Sequence, residues 1–351
     1  MADIGTNIPR AGSVDNGGDK DALFLQVFSG EVLSAFEEAN VMRDLHTVRT
    51  ITEGKSASFP VTGIANASYL TAGEDLLDAT GGNHLSKIKH SERVITVDDL
   101  LVSSTFIADI DSLRNHFDLR SIYSKELGKA LAKRFDLAVM KTLVAGAGAP
   151  AATDQPAGIE VDGFGAVNSA DGKKVIDAII EIAQKLDEND IPDDGDRFVI
   201  LPPELYYLLI GDSSNNNIAL NRDFGGVGSI AEGNVPMVAG IKIFKSNHVK
   251  DIAVDLTDAN YAGADDGDDA AKNNPFDDAA GSSAGAGYNH DLSTLAFVGG
   301  HKSAVGTVKL LDIAVESDYN IQRQGNILVA KYAMGHNWLR QGACVKVITT
   351  S

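Results

Sequence analysis

The side chains best suited to catalysis lie in two short glycine-rich motifs. Residues 281–285 match the GxSxG pattern, in which Ser283 would be the nucleophile of a hydrolase. That motif needs a strand before the serine and a helix after it, whereas here a low-complexity stretch of Ala, Gly and Asp surrounds it. Residues 226–231 match GxGxxA, a dinucleotide-binding pattern, but no predicted strand precedes them. We therefore predict that neither motif is a site.

Clusters of charged residues could bind a metal ion or a phosphate, but their spacing argues against both. Four closely spaced aspartates could supply hard oxygen ligands to Ca²⁺, yet they lack EF-hand spacing and a closing Glu. These are Asp265, Asp266, Asp268 and Asp269. The eight His residues are dispersed, and no pair has metal-ligand spacing. Gly172, Lys173 and Lys174 lack the earlier glycine and the following hydroxyl of a P-loop.

Two acidic pairs remain as candidates for acid–base chemistry. Asp98 with Asp99, and Asp193 with Asp194, fit turns and caps better, because Asp readily hydrogen-bonds to the nearby backbone. The sequence therefore predicts a protein that is not an enzyme, with no catalytic, cofactor-binding or metal-binding residues and no cofactor. The rival hypothesis is an enzyme that uses Ser283 or the aspartate cluster, and loss of hydrolytic activity in Ser283→Ala would revive it.

The element around which the chain is organised is a long helix predicted over residues 109–145. It contains no Pro and one Gly, and it would be about 50 Å long at 1.5 Å per residue. Apolar residues recur at steps of three and four, which predicts a single apolar face. They are Leu119, Tyr123, Leu127, Ala130, Leu131, Leu137 and Ala138. The opposite, polar face is predicted to carry Asp118, Lys125, Lys129, Lys133 and Asp136.

Before this helix, the pattern predicts a long β-hairpin. Residues 46–63 are rich in β-branched and apolar types around a turn at Gly54 and Lys55, and residues 89–107 form a second β run. Turn-rich residues join them. Because a two-stranded hairpin with little core is barely stable alone, this one is expected to need a partner surface.

After the helix, a Pro-, Ala- and Gly-rich linker predicts a boundary, followed by a unit in which helices and strands alternate. The predicted elements are a helix at 171–190, a buried strand at 197–201, a short helix starting with Pro, two short strands within 235–249, and C-terminal strands from residue 293 onward. Residues 255–290 are rich in Asp, Ala and Gly and predict a surface loop.

The overall composition limits the possible partners and compartments. The 351 residues carry 49 acidic and 30 basic side chains, a net charge of −19. This balance argues against non-specific nucleic-acid binding, in which Lys and Arg displace counterions. The single Cys344 excludes an intrachain disulfide framework, which fits a reducing cytoplasm. The first residues lack signal-peptide character, and no apolar run is long enough to span a membrane.

Several long stretches, in the same order, resemble the major capsid proteins of T7-like short-tailed bacteriophages, which have the HK97-type capsid fold. The stretches early in the chain are GDKDALFLQVFSGEVLSAF, VRTITEGKSASFPVTG, YLTAGEDL, IKHSERVITVDDLL and NHFDLRSIYSKELGKALA. Near the end they are HKSAVGTVKLLDIAVES and ILVAKYAMGHNWLR. The resemblance covers residues 18–145 and 292–340 well, while the middle fits the fold's pattern more than its sequence.

The resemblance implies an α+β, HK97-like subunit with five regions. They are an N-terminal arm (1–45), an extended β-hairpin called the E-loop with its base (46–108), the spine helix of the P-domain (109–149), an A-domain (150–295) and C-terminal strands that return to the P-domain (296–351). The E-loop would lie over the P-domain of a neighbouring subunit. The acidic loop at 255–290 departs from the family's pattern.

The implied function is that of a structural subunit. It would form the pentamers and hexamers of an icosahedral T=7 shell around packaged double-stranded DNA, as part of the virion. Assembly would take place in the bacterial cytoplasm with a scaffolding protein, and a portal would occupy one vertex. The alternatives are an encapsulin-like compartment with the same fold and a secreted Ca²⁺-binding surface-layer protein, which the missing signal peptide weakens.

Overall fold

The computed structural model describes residues 40–62, 65, 67–70, 72, 76, 88, 90–98, 100–109, 119–151, 155–162, 172–211, 237–249 and 294–349. Several sequence-based predictions lie outside these residues. They concern most of the N-terminal arm, the far end of the hairpin, the two glycine-rich motifs at 226–231 and 281–285, and the acidic loop with its aspartate cluster.

The long helix, α1, spans Leu119–Ala147 and lies between two sheets. The prediction of a single apolar stripe was wrong for its second half. Residues 135–144 are all buried, and they include Asp136, which the periodicity had assigned to the polar face. Ala130, assigned to the apolar face, is exposed. The reason is tertiary: a sheet covers each side of the helix, so polar residues there must be paired inside the protein.

The first sheet has four strands. They are β1 (Thr47–Thr50), β4 (Leu101–Ala108), β10 (Val305–Asn320) and β11 (Gly325–Trp338), in the order β1-β10-β11-β4. β10 and β11 form a long antiparallel hairpin, β4 pairs antiparallel with β11, and β1 pairs parallel with β10. Leu328, Ala330 and Tyr332 of β11 are buried on the face toward α1. Their neighbours in sequence therefore point to the opposite, outer face.

The second sheet has six strands, in the order β5-β12-β9-β6-β8-β7. They are β5 (Ile159–Val161), β6 (Arg197–Leu201), β7 (Met237–Val238), β8 (Ile241–Lys245), β9 (Leu295–His301) and β12 (Cys344–Ile348), where β12 follows a 3₁₀ turn at Gln341–Ala343. The last four strands of the chain thus divide between the sheets, because β9 and β12 join this sheet while β10 and β11 join the other.

Two helices accompany the second sheet, and both were predicted. They are α2 (Gly172–Glu188) and α3 (Pro203–Gly211). In α2, Val175, Ile179, Ile182 and Leu186 are buried, as the spacing of three and four predicts. The predicted strand β6 is buried throughout. Ala239 and Gly240, both at positive φ, make the predicted turn between β7 and β8.

The predicted hairpin is formed by β2 (Ser56–Thr62) and β3 (His90–Thr96), which pair antiparallel as a separate two-stranded sheet. The second predicted β run is divided, because its C-terminal part becomes β4 of the four-stranded sheet. Among the described helices, none is long and apolar enough to cross a membrane.

Candidate assembly surfaces

The β2–β3 hairpin is joined to the body at its base by one buried side chain. Ile95 is buried against the four-stranded sheet, where Gly306 and Gly335 leave room for it and for the strand that carries it. Asn337 Nδ2 donates to the Val94 carbonyl at 3.4 Å, and Asp98 N donates to the Met334 carbonyl at 3.1 Å. The base is therefore docked on β10 and β11.

Two arginines connect the hairpin to neighbouring strands at the level of the Phe59–Arg93 pair. The Arg49 guanidinium lies 5.5 Å from the centroid of the Phe59 ring, and its Nη1 donates to the Ser58 carbonyl at 3.1 Å. The Arg93 guanidinium lies 5.5 Å from the Trp338 ring. Each cation–π contact contributes about 0.5–1 kcal/mol at an exposed site. The contacts hold the angle of the hairpin but provide no core.

Beyond its base, the hairpin is largely accessible. Side chains of β2 alternate between exposed and half-buried, and Ile95 is the only buried side chain among those described in the two strands. Because an isolated two-stranded sheet is marginal in water, the hairpin presents unpaired apolar and polar surface that a neighbouring molecule can cover.

The outer face of the four-stranded sheet carries an apolar patch. Val102 and Phe106 of the edge strand β4 are 48% and 40% exposed. Phe106 lies opposite Ile327 of β11, and Val329 lies two pairs further along the strand, opposite Ser104. We call these four apolar residues the outer patch. Lys331 Nζ and Glu316 Oε1, 2.7 Å apart, form a charged border beside it. An apolar patch with a polar border is typical of an interaction surface.

A third accessible feature is the turn that joins β10 to β11. The Asn320 side-chain oxygen accepts from the backbone N–H groups of Gln322 at 3.0 Å and Arg323 at 3.3 Å. Gln324 Nε2 donates to the Ile321 carbonyl at 2.7 Å. Local bonds of this kind fix a turn, and here the turn displays Ile321 with 74% of its surface exposed. No sequence-based prediction included this turn.

Comparisons with known proteins identify the family of the chain. A family model described as "Gp10A-like: Major capsid protein" matches residues 58–348. The chain belongs to this family of phage major capsid proteins. The major capsid protein of Escherichia phage T7 is 33% identical over 360 residues, which cover 98% of this chain and 96% of the relative. The major capsid protein of Enterobacteria phage T3 is 33% identical over 366 residues, with the same coverage.

A solved structure agrees with the sequence relatives. The capsid structure of the cyanophage P-SCSP1u is 34% identical, covers 99% of each chain and superposes with a TM-score of 0.69. The expected α+β, HK97-like capsid fold is confirmed, and the chain is a shell-forming structural subunit of the T7-like type. The family match favours the phage capsid over the encapsulin-like compartment.

In this capsid subunit, the candidate catalytic and binding residues that the structure describes have structural roles. Gly172 to Lys174 begin α2. Asp194 Oδ1 accepts from the backbone N–H of Asp196 at 3.1 Å, which confirms the prediction of a turn residue. Within the part of the chain that the structure describes, no group of three or more His, Cys, Asp or Glu could hold a metal ion.

One hydrogen-bonded row contains the residue types of a hydrolase triad, and no motif in the sequence predicted it. His301 Nε2 lies 3.0 Å from Asp194 Oδ1, and its Nδ1 lies 2.9 Å from Ser303 Oγ. The backbone N–H of Ser303 donates to the same Nδ1 at 3.2 Å, so the ring is bound into the turn after β9. The bond from His301 lowers the pKa of the Asp194 carboxyl, which therefore stays charged. The row ties this turn to the loop before β6.

Proposed function

We propose that this subunit forms the pentamers and hexamers of an icosahedral shell, with a T=7 lattice, that encloses packaged double-stranded DNA. The shell assembles in the cytoplasm of a bacterial host with a scaffolding protein, carries a portal at one vertex and becomes the capsid of the virion. The observation that carries this proposal is the β2–β3 hairpin, which is docked only at its base and offers surface that no part of its own described fold covers.

The regions of the subunit are proposed as the resemblance implies. Residues 1–45 are the N-terminal arm, 46–108 the E-loop with its base, 109–149 the spine helix, 150–295 the A-domain, and 296–351 the C-terminal strands of the P-domain. The four-stranded sheet supports this division, because β1 and β4 come from the second region and β10 and β11 from the last. The strands from residue 295 onward are nevertheless shared between the sheets, since β9 and β12 join the six-stranded sheet with the strands of the A-domain region.

Contacts between subunits are proposed to pair the accessible hairpin of one copy with the outer patch of the next. The two surfaces are complementary, since the described part of the hairpin has no core of its own and the patch exposes the apolar side chains of Val102 and Phe106. Burial of apolar surface contributes roughly 25 cal/mol per Å² before the entropy of association is subtracted. A shell repeats this contact many times, so a modest contact suffices.

The net charge of −19 supports a shell that does not bind the enclosed DNA tightly. A polyanion is held when Lys and Arg neutralise phosphates, and an acidic wall lacks that attraction. We propose that the subunit encloses DNA without sequence-specific binding and that it has no enzymatic activity, cofactor or membrane partner. A strongly basic inner surface in an assembled shell would contradict this.

Negative-stain electron microscopy tests the proposed function directly. The subunit is expressed with and without its scaffolding protein, and the particles are examined for shape and content. Icosahedral shells of uniform size, dependent on or improved by the scaffolding protein, are the expected result. A monodisperse unassembled subunit under both conditions, measured by sedimentation, would overturn the proposal.

The contact proposed for the outer patch gives a substitution test. Val102→Asp replaces an apolar side chain with a carboxylate where a neighbour would bury it. Lys331, which lies opposite Val102 on β11, already pairs with Glu316. Burial of the added charge is therefore expected to cost several kcal/mol, enough to reduce shell yield at least about tenfold. Stability of the unassembled subunit should change little, because the side chain is exposed. Shell yield by sedimentation and circular dichroism of the subunit are the two measurements.

A matched control separates the patch from apolar exposure in general. Ile180 on α2 is exposed to 49%, close to the value for Val102. Ile180→Asp is expected to assemble nearly normally. Equal loss of shells in both variants, or in neither, would contradict the role given to the outer patch.

A further inference from the structure

Asp136 is a buried carboxylate in the middle of α1, with 0% of its surface exposed. Its Oδ2 accepts from the backbone N–H of Val41 at 3.0 Å, and its Oδ1 accepts from that of Met42 at 3.2 Å. The third partner is His248, whose Nδ1 lies 3.0 Å from Oδ2. His248 is its only ion-pair partner in the described part of the chain. One side chain therefore joins three separate parts of the fold.

The first of these parts is a compact turn formed by residues 40–46. Asn40 Oδ1 accepts from the backbone N–H of Arg43 at 2.7 Å, and the backbone N–H of Leu45 donates to the Met42 carbonyl at 3.1 Å. Met42 is fully buried, and the His46 ring lies 5.6 Å from that of Phe135, the neighbour of Asp136 on α1. The turn is thus held on the helix by apolar burial and by the carboxylate together.

The second part is the turn that follows β8. The Ser246 side-chain oxygen accepts from the backbone N–H of His248 at 3.2 Å, and Val249 beside it is buried. His248 is 112 positions away from Asp136 in sequence, and it reaches the carboxylate from the side of the six-stranded sheet. Residues 40–46 lead instead into β1 of the four-stranded sheet.

We propose that Asp136 is a positioning residue that couples the turn at residues 40–46 to the turn after β8, so that neither moves away without loosening the other. A buried carboxylate is tolerated only while donors surround it, and loss of one donor leaves charge that the others satisfy poorly. Each of the three donors therefore stabilises the geometry that the other two require. In a shell subunit, this coupling transmits a displacement at the root of the N-terminal region to the second sheet, and the reverse.

The coupling predicts an effect at a distance, which simple capping of the N-terminal turn does not. His248→Ala removes one donor without touching Val41 or Met42. Hydrogen exchange of those two backbone amides, measured on the full-length unassembled subunit, should accelerate at least about tenfold, the scale set by one weakened charge-assisted hydrogen bond. The amides of α2 serve as an internal reference and should keep their exchange rates.

A conservative variant provides the rescue. The side-chain amide of asparagine can occupy the place of the histidine Nδ1–H, so His248→Asn should restore slow exchange at Val41 and Met42. His90→Ala, at an exposed position on β3, is the control for loss of a histidine. Asp136→Asn should accelerate exchange at residues 41 and 42 and also release His248, because an amide offers only one accepting oxygen.

The results separate coupling from capping even if Asp136→Asn fails to fold, because the His248 variants leave the carboxylate in place. Faster exchange in His248→Ala with recovery in His248→Asn supports the coupling. Unchanged exchange at residues 41 and 42 in His248→Ala would overturn it and leave Asp136 as a cap of the N-terminal turn alone. Equal acceleration in His248→Ala and His248→Asn would overturn it as well.

Discussion

Replacing Gly335 with alanine is expected to displace the β2–β3 hairpin from the four-stranded sheet and to abolish shell assembly. A Cβ at this position would overlap the Thr96 carbonyl oxygen and lie 2.8 Å from the carbonyl carbon and 2.9 Å from Val97 Cα. All three are backbone atoms, so no side-chain rotation relieves the overlap. The strand must move, and the bond from Asp98 N to the Met334 carbonyl is lost with it. Overpacking of this kind destabilises by about 3 kcal/mol or more.

Urea unfolding of the subunit and the yield of shells measure the two consequences. Gly306→Ala is the matched control, because Gly306 lies on the neighbouring strand under the same hairpin. Its added Cβ would meet the side-chain ends of Leu339 at 2.9 Å and Ile95 at 3.1 Å, which can shift. Because Ile95 also docks the hairpin, we expect a cost of about 1 kcal/mol and a much smaller loss of assembly than in Gly335→Ala. A Gly335→Ala subunit as stable and as competent as this control would show that the hairpin base is not held at Gly335.

The local pattern of the sequence predicts most elements of the second sheet and its helices. The apolar spacing of α2, the continuous apolar run of β6, the Pro at the start of α3 and the turn at Gly240 each have one local explanation. These elements bury one face or both faces in a regular way. For that reason, the spacing of apolar residues and the residue types at turns were sufficient to predict these elements.

The second half of α1 could not be predicted in this way, because its surroundings come from distant parts of the chain. β9, β11 and β12 cover the helix and lie more than 140 residues further on. These strands help to bury Asp136, which the local pattern had placed on the surface. Its hydrogen-bond partners lie 94, 95 and 112 positions away in the sequence. No window of local sequence contains that information.

The candidate surfaces were predicted in part. The hairpin and its need for a partner followed from two β runs without a core. The outer patch was missed, although β4 contained a signal for it. In the strand LVSSTFIA, Val102 and Phe106 alternate with Leu101 and Ile107, so both faces carry apolar residues. An edge strand with two apolar faces indicates a second covering layer, which the described part of the subunit does not provide.

A second large effect is expected at low pH, where the fold should lose stability because of His336. Burial, and then the charge of His46, lower the pKa of His336 from 6.5 to about 3. Below pH 6.5, His336 therefore stays neutral in the folded subunit, whereas the same side chain binds a proton in the unfolded chain. His336 does not lower the free energy of unfolding above pH 6.5, but it lowers that free energy progressively as the pH falls from 6.5 toward 3. At 1.36 kcal/mol per pH unit, the loss at pH 4.5 is about 3 kcal/mol.

The measurement is the free energy of unfolding at pH 7 and at pH 4.5, in dilute, unassembled subunit, since assembly raises apparent stability by mass action. His336→Asn cannot titrate, and its amide can still reach Thr307 Oγ1, which lies 2.8 Å from His336 Nδ1. Its stability should fall about 3 kcal/mol less between the two pH values than that of the unaltered subunit. Titrating carboxylates contribute equally to both proteins and cancel in the difference.

The exposed His90 supplies the control for this prediction, because His90→Asn should keep the full acid sensitivity. His46 contributes with the same sign, since burial also lowers its pKa, and the rings of His46 and His336 both lie near that of Phe135, with centroids 5.6 Å and 5.2 Å away. Acid therefore acts where the N-terminal turn, α1 and β11 meet. If His336→Asn lost as much stability at pH 4.5 as the unaltered subunit, protonation elsewhere would have to explain the acid sensitivity of the fold.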